Sequence, residues 1–194
     1  MSKEKGEREH NADAQESVTN DTAGKSGIRE GFTRDRVLLA IQIALIAMLS
    51  YFLGTSFTSL FHGASASIGA LWCAITGIAV LNVTRQATWK EGIRQLRGTL
   101  IGVIVGGLYL SFFPFSAVGM GISVGITVLL CGIFGISDTT KFAATSVVMV
   151  MVISYSNPDL SPFLNSVLRF CEACIGAGIA MVISFFSPKA QNAA

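Results

Sequence analysis

Arg169 and Glu172 are the residues of this 194-residue chain best suited to chemistry. They stand three positions apart in the otherwise apolar stretch Phe163–Phe186, so on a helix they share one face, one turn apart. A charge at the centre of a bilayer costs about 2.5–3.5 kcal/mol on insertion scales. Opposite charges at i, i+3 neutralise one another and lower that cost. Two readings follow. In one, the residues form a structural pair near the outer interface, where the long arginine snorkels towards water. In the other, Arg169 coordinates an anion and Glu172 tunes or gates it, because ionisable groups inside membranes mark substrate paths.

The remaining chemistry-bearing residues form no site of their own. Cys171 and Cys174 make a lone CxxC with no second pair and no nearby histidine, and two ligands on one helix do not close a tetrahedral zinc site. Cys73 and Cys131 also fall in apolar runs, as small buried side chains. His10 lies in the amino-terminal tail and His62 stands alone in a loop, so no Ser-His-Asp set can be built. Ala23–Ser26 reads Ala-Gly-Lys-Ser, like the end of a phosphate-binding loop, but the glycine such a loop needs is replaced by Thr19. No enzyme activity, metal or cofactor is expected.

The elements that must position Arg169 and Glu172 are set by composition. Hydrophobic residues make up 51% of the chain and charged residues 13%, with mean hydropathy +0.59. A soluble domain carries about 25% charged residues. Of 14 basic and 12 acidic residues, twelve sit within the first 30 positions, so the rest cannot clothe a water-facing surface. That excludes a cytosolic enzyme and a disulfide-stapled secreted domain. The formal charge of +2 is too small and scattered for a nucleic-acid partner.

Three segments follow. Residues 1–33 read as a disordered cytoplasmic tail, residues 34–188 as an integral membrane domain of transporter type, and residues 189–194 as a short carboxy-terminal tail. The domain shows apolar runs at Val37–Leu53, Ile68–Val83, Gly98–Phe113, Val118–Ile136, Phe142–Tyr155 and Phe163–Phe186. None alternates as a barrel strand would, which predicts an all-α membrane protein with six transmembrane helices. Phe142–Tyr155 is too short to span unless it extends, thins the bilayer or pairs as a hairpin.

With both termini cytoplasmic, Arg34, Arg36, Arg85, Lys90, Arg94, Arg97, Lys141 and Lys189 fall inside, and His62 and Asp159 outside. This positive-inside pattern fits a bacterial inner membrane.

Gly98, Gly102 and Gly106 recur every four residues and line one helix face, where another backbone can approach. Gly121 and Gly125 repeat the device, followed by Gly132, and Ala173-Ala177 and Cys174-Gly178 offer it again. Such faces either pack helices or line a path or hinge. Trp72 either anchors at an interface or faces a cavity, and Trp89 marks the other end of that region. Runs one to three end with Arg97 before a small-residue helix, and runs four to six with Arg169 before another. Two inverted three-helix repeats would give that order.

The stretch Trp72-Cys73-Ala74-Ile75-Thr76, a basic loop, Arg97-Gly98-Thr99-Leu100-Ile101-Gly102, then Arg169-Phe170-Cys171-Glu172 and Gly176, carries a resemblance. It resembles the integral membrane module of the fusaric acid resistance (FUSC) family, also called aromatic acid exporter-like. That superfamily includes bacterial efflux proteins and the plant aluminium-activated malate channels. The resemblance covers roughly residues 35–187 and implies six helices and passage of organic anions. It also implies that Trp72, Arg97, Gly98, Thr99, Gly102, Arg169, Glu172 and Gly176 hold motif positions, with Trp72, Arg97, Thr99, Arg169 and Glu172 along the substrate path and Gly176 in helix packing. Larger members carry a cytosolic domain and often a second module. A single module is therefore expected to work as a homo-oligomer, with a dimer favoured. The expected partners are lipid and a small organic or aromatic anion. Three functions are open: an exporter, a passive anion channel, and a non-transporting subunit that recruits a partner through its tail.

Overall fold

A computed structural model of the chain describes residues 34–82 and 84–186. The tail read as disordered, with His10 and Ala23–Ser26, lies outside the described residues, as do Val83 and Lys189. The described residues form six α-helices and no strand. They are α1 (Arg34–Ser59), α2 (Ala66–Val80), α3 (Arg85–Phe112), α4 (Ala117–Ile133), α5 (Thr140–Ser156) and α6 (Pro162–Phe185). Short 3-10 turns, Gly63–Ser65 and Ser137–Thr139, lead into α2 and α5. The chain divides into two units between Ile41 and Gln42. The first contributes the opening turns of α1; the second holds the rest of α1 and the other five helices.

The helix starts follow from capping residues. Thr84, Ser116 and Ser161 each accept a backbone N–H with the side-chain oxygen, from Ala87, Gly119 and Leu164 at 3.2, 3.0 and 3.3 Å. Pro162 follows Ser161 in the first turn of α6, where its missing N–H costs nothing. α4 stops at Gly135, the one described residue with a left-handed backbone outside ordinary side-chain range (φ 67°). The Ile136 N–H bonds to the Cys131 carbonyl at 2.9 Å and the Gly135 N–H to the Gly132 carbonyl at 3.1 Å, closing a Schellman motif.

Three boundaries differ from the sequence reading. The basic stretch Arg85–Arg97 is the first half of α3, not a loop. The short run Phe142–Tyr155 is extended by the turn before it, so that Ser137–Ser156 reaches 20 residues. The helix without such an extension is instead α4, which ends at Ile133 and holds 17 residues, or about 25 Å. Five helices are long and apolar enough to cross a membrane, and α4 is apolar but shorter. Large side chains on the outside are apolar, among them Phe52, Ile104, Leu108, Ile122 and Leu129. The buried positions include many small polar residues. That inversion suits a body bathed in hydrocarbon, and the chain is an integral membrane protein in contact with the bilayer.

Glycines set which helices meet. A Cβ on Gly98 would lie 2.7 Å from the Thr139 carbonyl oxygen, one on Gly102 would collide with the Ala143 carbonyl, and one on Gly106 would touch Val150. These contacts ascend together, so α3 and α5 run parallel. Gly176 of α6 meets the Cys73 carbonyl of α2 in the same way, with Gly69 against Glu172, so α2 and α6 are also parallel. Gly92 meets Met181 and Gly107 meets Ser166, which makes α3 and α6 antiparallel. Arg94 ties α3 to the turn before α5. Its Nη2 donates to the Asp138 carbonyl and its Nε lies by Asp138 Oδ2, both at 2.9 Å, while Nη1 donates to Glu91.

Gly121 and Gly125 do not pack against another helix among the described residues of this chain. Both are exposed, and a Cβ on either would meet nothing within 4 Å. The buried face of α4 is Gly119, Ser123, Thr127 and Cys131. Gly121 and Gly125 stand two positions out of phase with it, on the opposite side of the helix. In α6, Ala173 and Ala177 are buried, whereas Cys174 and Gly178 are half-buried and Gly178 has no neighbour within 4 Å.

Candidate functional site

α6 begins at its Ser161 cap and continues without a break, and Asn165, Arg169, Glu172 and Gly176 lie along one of its buried faces. Arg169 and Glu172 are both 0% exposed and sit well inside the helix, so neither side chain snorkels to an interface. They are the charged side chains among the buried described residues. Arg169 Nη2 lies 2.9 Å from Glu172 Oε1. That contact is not aligned as a hydrogen bond, and Nε, Nη1 and Nη2 have no acceptor in position.

Glu172 is held more firmly. Thr58 of α1 donates its hydroxyl to Oε1 at 2.6 Å. From α2, Gly69 presents bare backbone, and a Cβ there would collide with Oε1. Cys73 donates its thiol hydrogen to the Glu172 carbonyl at 3.1 Å. Glu172 Oε2 has no partner. One turn before Arg169, Asn165 donates from Nδ2 to the Val150 carbonyl and to Ser154 Oγ, each at 2.8 Å, and its Oδ1 is free. Glu172 thus joins α1, α2 and α6, whereas the guanidinium nitrogens have no hydrogen-bond acceptor among the described residues.

Other sequence-derived candidates divide. Trp72 is 4% exposed and its Nε1 has no partner, so it is buried beside Cys73 and not an interface anchor. Trp89 is exposed and meets Phe185 edge-on, 6.1 Å between ring centroids. Thr99 is fully buried with an unpartnered hydroxyl, two turns along α3 from Gly92 and on the same side, towards α6. Arg97 is exposed and does not join the buried pair. Sequence reasoning missed Thr58, Gly69 and Gln95. Thr58 ends a buried stripe of α1, Ile46-Ser50-Gly54-Thr58, whose four-residue spacing was visible. Gln95 is 3% exposed with Oε1 unpartnered.

An apolar groove of about 360 Å³ runs between α3 and α6, lined by Leu100, Val103, Gly107, Phe163, Ser166 and Phe170 among others; Arg169 and Glu172 are not among its lining residues. The family model described as fusaric acid resistance protein-like matches residues 45–183, from within α1 to near the end of α6. The chain belongs to that family. No curated protein and no solved structure matches it. Membership gives this fusaric acid resistance-like protein a transporter-like role in the membrane. The matched span includes Trp72, Arg97, Thr99, Arg169 and Glu172.

The pair makes an asymmetric prediction for stability. A carboxylate stranded in the interior can shed its charge by taking a proton; a guanidinium cannot. Glu172→Gln should therefore cost about 3 kcal/mol, and Arg169→Gln distinctly less. Thermal unfolding in detergent of both single variants and the double neutral variant checks this. Equal losses in the singles, fully restored in the double, would make the pair purely structural.

Proposed function

We propose that the chain carries small organic or aromatic anions across the membrane, binding their acidic group at Arg169. The observation that carries this reading is the guanidinium itself: fully buried, mid-helix, with Nε, Nη1 and Nη2 lacking hydrogen-bond partners. A buried donor left unmade costs more than a typical hydrogen bond returns, so such a group calls for an acceptor. A carboxylate fits the planar fork bidentately. The chemistry is transport, with no bond made or broken.

Two inverted three-helix repeats, α1–α3 and α4–α6, form part of the proposal. One constant offset relates the helix ends Ser59 and Ile133, the 3-10 turns Gly63–Ser65 and Ser137–Thr139, and the helix starts Ala66 and Thr140. The same offset exchanges the contact Gly92–Met181 with Gly107–Ser166. It matches Gly102 with Gly176, and Arg169 with Gln95, not with Arg97. The site then lies between the repeats, the usual place in transporters of this plan.

In this reading all six helices span an inner membrane, with both termini cytoplasmic. Arg94 binding Asp138 supports one side for the start of α3 and the α4–α5 turn. A cysteine placed at Ala64 or Asp159 should label from outside, and one at Lys90 only after permeabilisation, in a cysteine-replaced background. All three positions are exposed. External labelling at Lys90 contradicts the topology. A homo-oligomer, most simply a dimer, is part of the same proposal.

Flux of benzenesulfonate in proteoliposomes tests the function, because this strong acid does not cross lipid in neutral form. Protein-dependent flux lost in Arg169→Gln supports the proposal, and flux equal to empty vesicles opposes it. An imposed potential separates a carrier from a passive channel.

A further inference from the structure

We infer that Glu172 takes up one proton for each anion bound, so that anion and proton move together and the loaded site stays neutral. This rests on Arg169 as the anion-binding group. Arg169 and Glu172 are the charged side chains among the buried described residues, and with both ionised their charges cancel. A monoanion on Arg169 would leave one uncompensated negative charge. Nothing packed against Glu172 can cancel it. Thr58 faces it from α1, and Gly69 and Cys73 from α2; on α6 its charged neighbour is Arg169 itself. The buried polar residues on α3 and α5, such as Gln95, Thr99 and Ser146, carry no charge.

Moving the carboxylate away is also closed off. Thr58 holds Oε1 at 2.6 Å and the Gly69 backbone lies against the same oxygen. A proton remains as the means of neutralisation, and it has a place. Oε2 is buried without a hydrogen-bond partner. The step balances simply: a proton leaves solvent, an O–H bond forms at Oε2, and Arg169 exchanges its contact with Oε1 for the incoming anion. Release of the anion returns the pair and expels the proton. One monoanion and one proton then cross together without net charge, unlike passage through an anion channel.

Benzoate binding to the purified full-length protein tests this. Calorimetry in buffers of differing ionisation enthalpy, from about pH 6 to about pH 9, counts the protons absorbed. Wild type should absorb close to one proton per benzoate at the alkaline end, with Kd rising towards about tenfold per pH unit. Glu172→Gln should bind without proton uptake and with no such pH dependence. Wild-type binding with no uptake anywhere in the range overturns the inference and leaves the anion site standing. So does unchanged uptake in Glu172→Gln. Absence of benzoate binding by wild type, or undiminished binding by Arg169→Gln, removes the anion site and the inference with it. If Glu172→Gln does not fold, the wild-type series decides alone.

Discussion

Arg169→Gln should abolish organic-anion flux while the protein remains folded in the membrane. The substitution keeps a long polar side chain but removes the charge and the fork. Each hydrogen bond to a charged group contributes about 1.5–3 kcal/mol, so losing two should weaken binding by at least about 3 kcal/mol, or more than roughly 100-fold. The fold should survive, because Arg169 makes no aligned hydrogen bond within the chain and Glu172 keeps its bond from Thr58. Arg169→Lys should recover part of the flux, since the charge returns without bidentate geometry. The readouts are flux in proteoliposomes beside yield and gel-filtration profile. Normal flux through well-folded Arg169→Gln removes Arg169 from the mechanism.

Gly102→Leu should have the largest effect on assembly of the fold. A Cβ alone would collide with the Ala143 carbonyl and approach Ser146 Cβ to 2.7 Å, so backbone, not a flexible side-chain tip, would have to move. Overpacking costs about 1–3 kcal/mol even where side chains can yield. Here α3 and α5 would separate along the seam that Gly98, Gly102 and Gly106 share. Folded yield should fall severely, and Gly176→Leu, against the Cys73 carbonyl, should behave alike. Gly121→Leu is the control: nothing lies within 4 Å, and monomer folding should be unaffected. Wild-type yield of Gly102→Leu would mean that α3 and α5 do not meet there.

The helical class and the family were legible in the sequence, because long apolar runs and the Arg97–Gly102 and Arg169–Glu172 elements are local patterns. The face of each helix was less so. Gly98-Gly102-Gly106 and Gly121-Gly125 have the same spacing, yet the first meets a carbonyl ridge and the second faces outward. Spacing fixes a face but not its neighbour. The basic stretch Arg85–Arg97 hid a helix, because its charges masked continuity with the apolar half of α3. Thr58 could not be tied to Glu172 from sequence, since that bond joins the first and last helices. In the proposed repeat, residue type alone pairs Arg97 with Arg169, whereas a constant offset between helix boundaries pairs Gln95 with it.

The central claim is that an organic anion sits on the Arg169 guanidinium. Solid-state NMR of the protein in lipid, with guanidinium-15N arginine and carboxyl-13C benzoate, measures that contact through dipolar dephasing. Wild type should show the benzoate carboxylate in direct contact with a buried guanidinium, and Arg169→Lys should lose the signal while other arginines remain. The same dephasing in wild type and Arg169→Lys, or none in wild type with benzoate bound, would contradict the account.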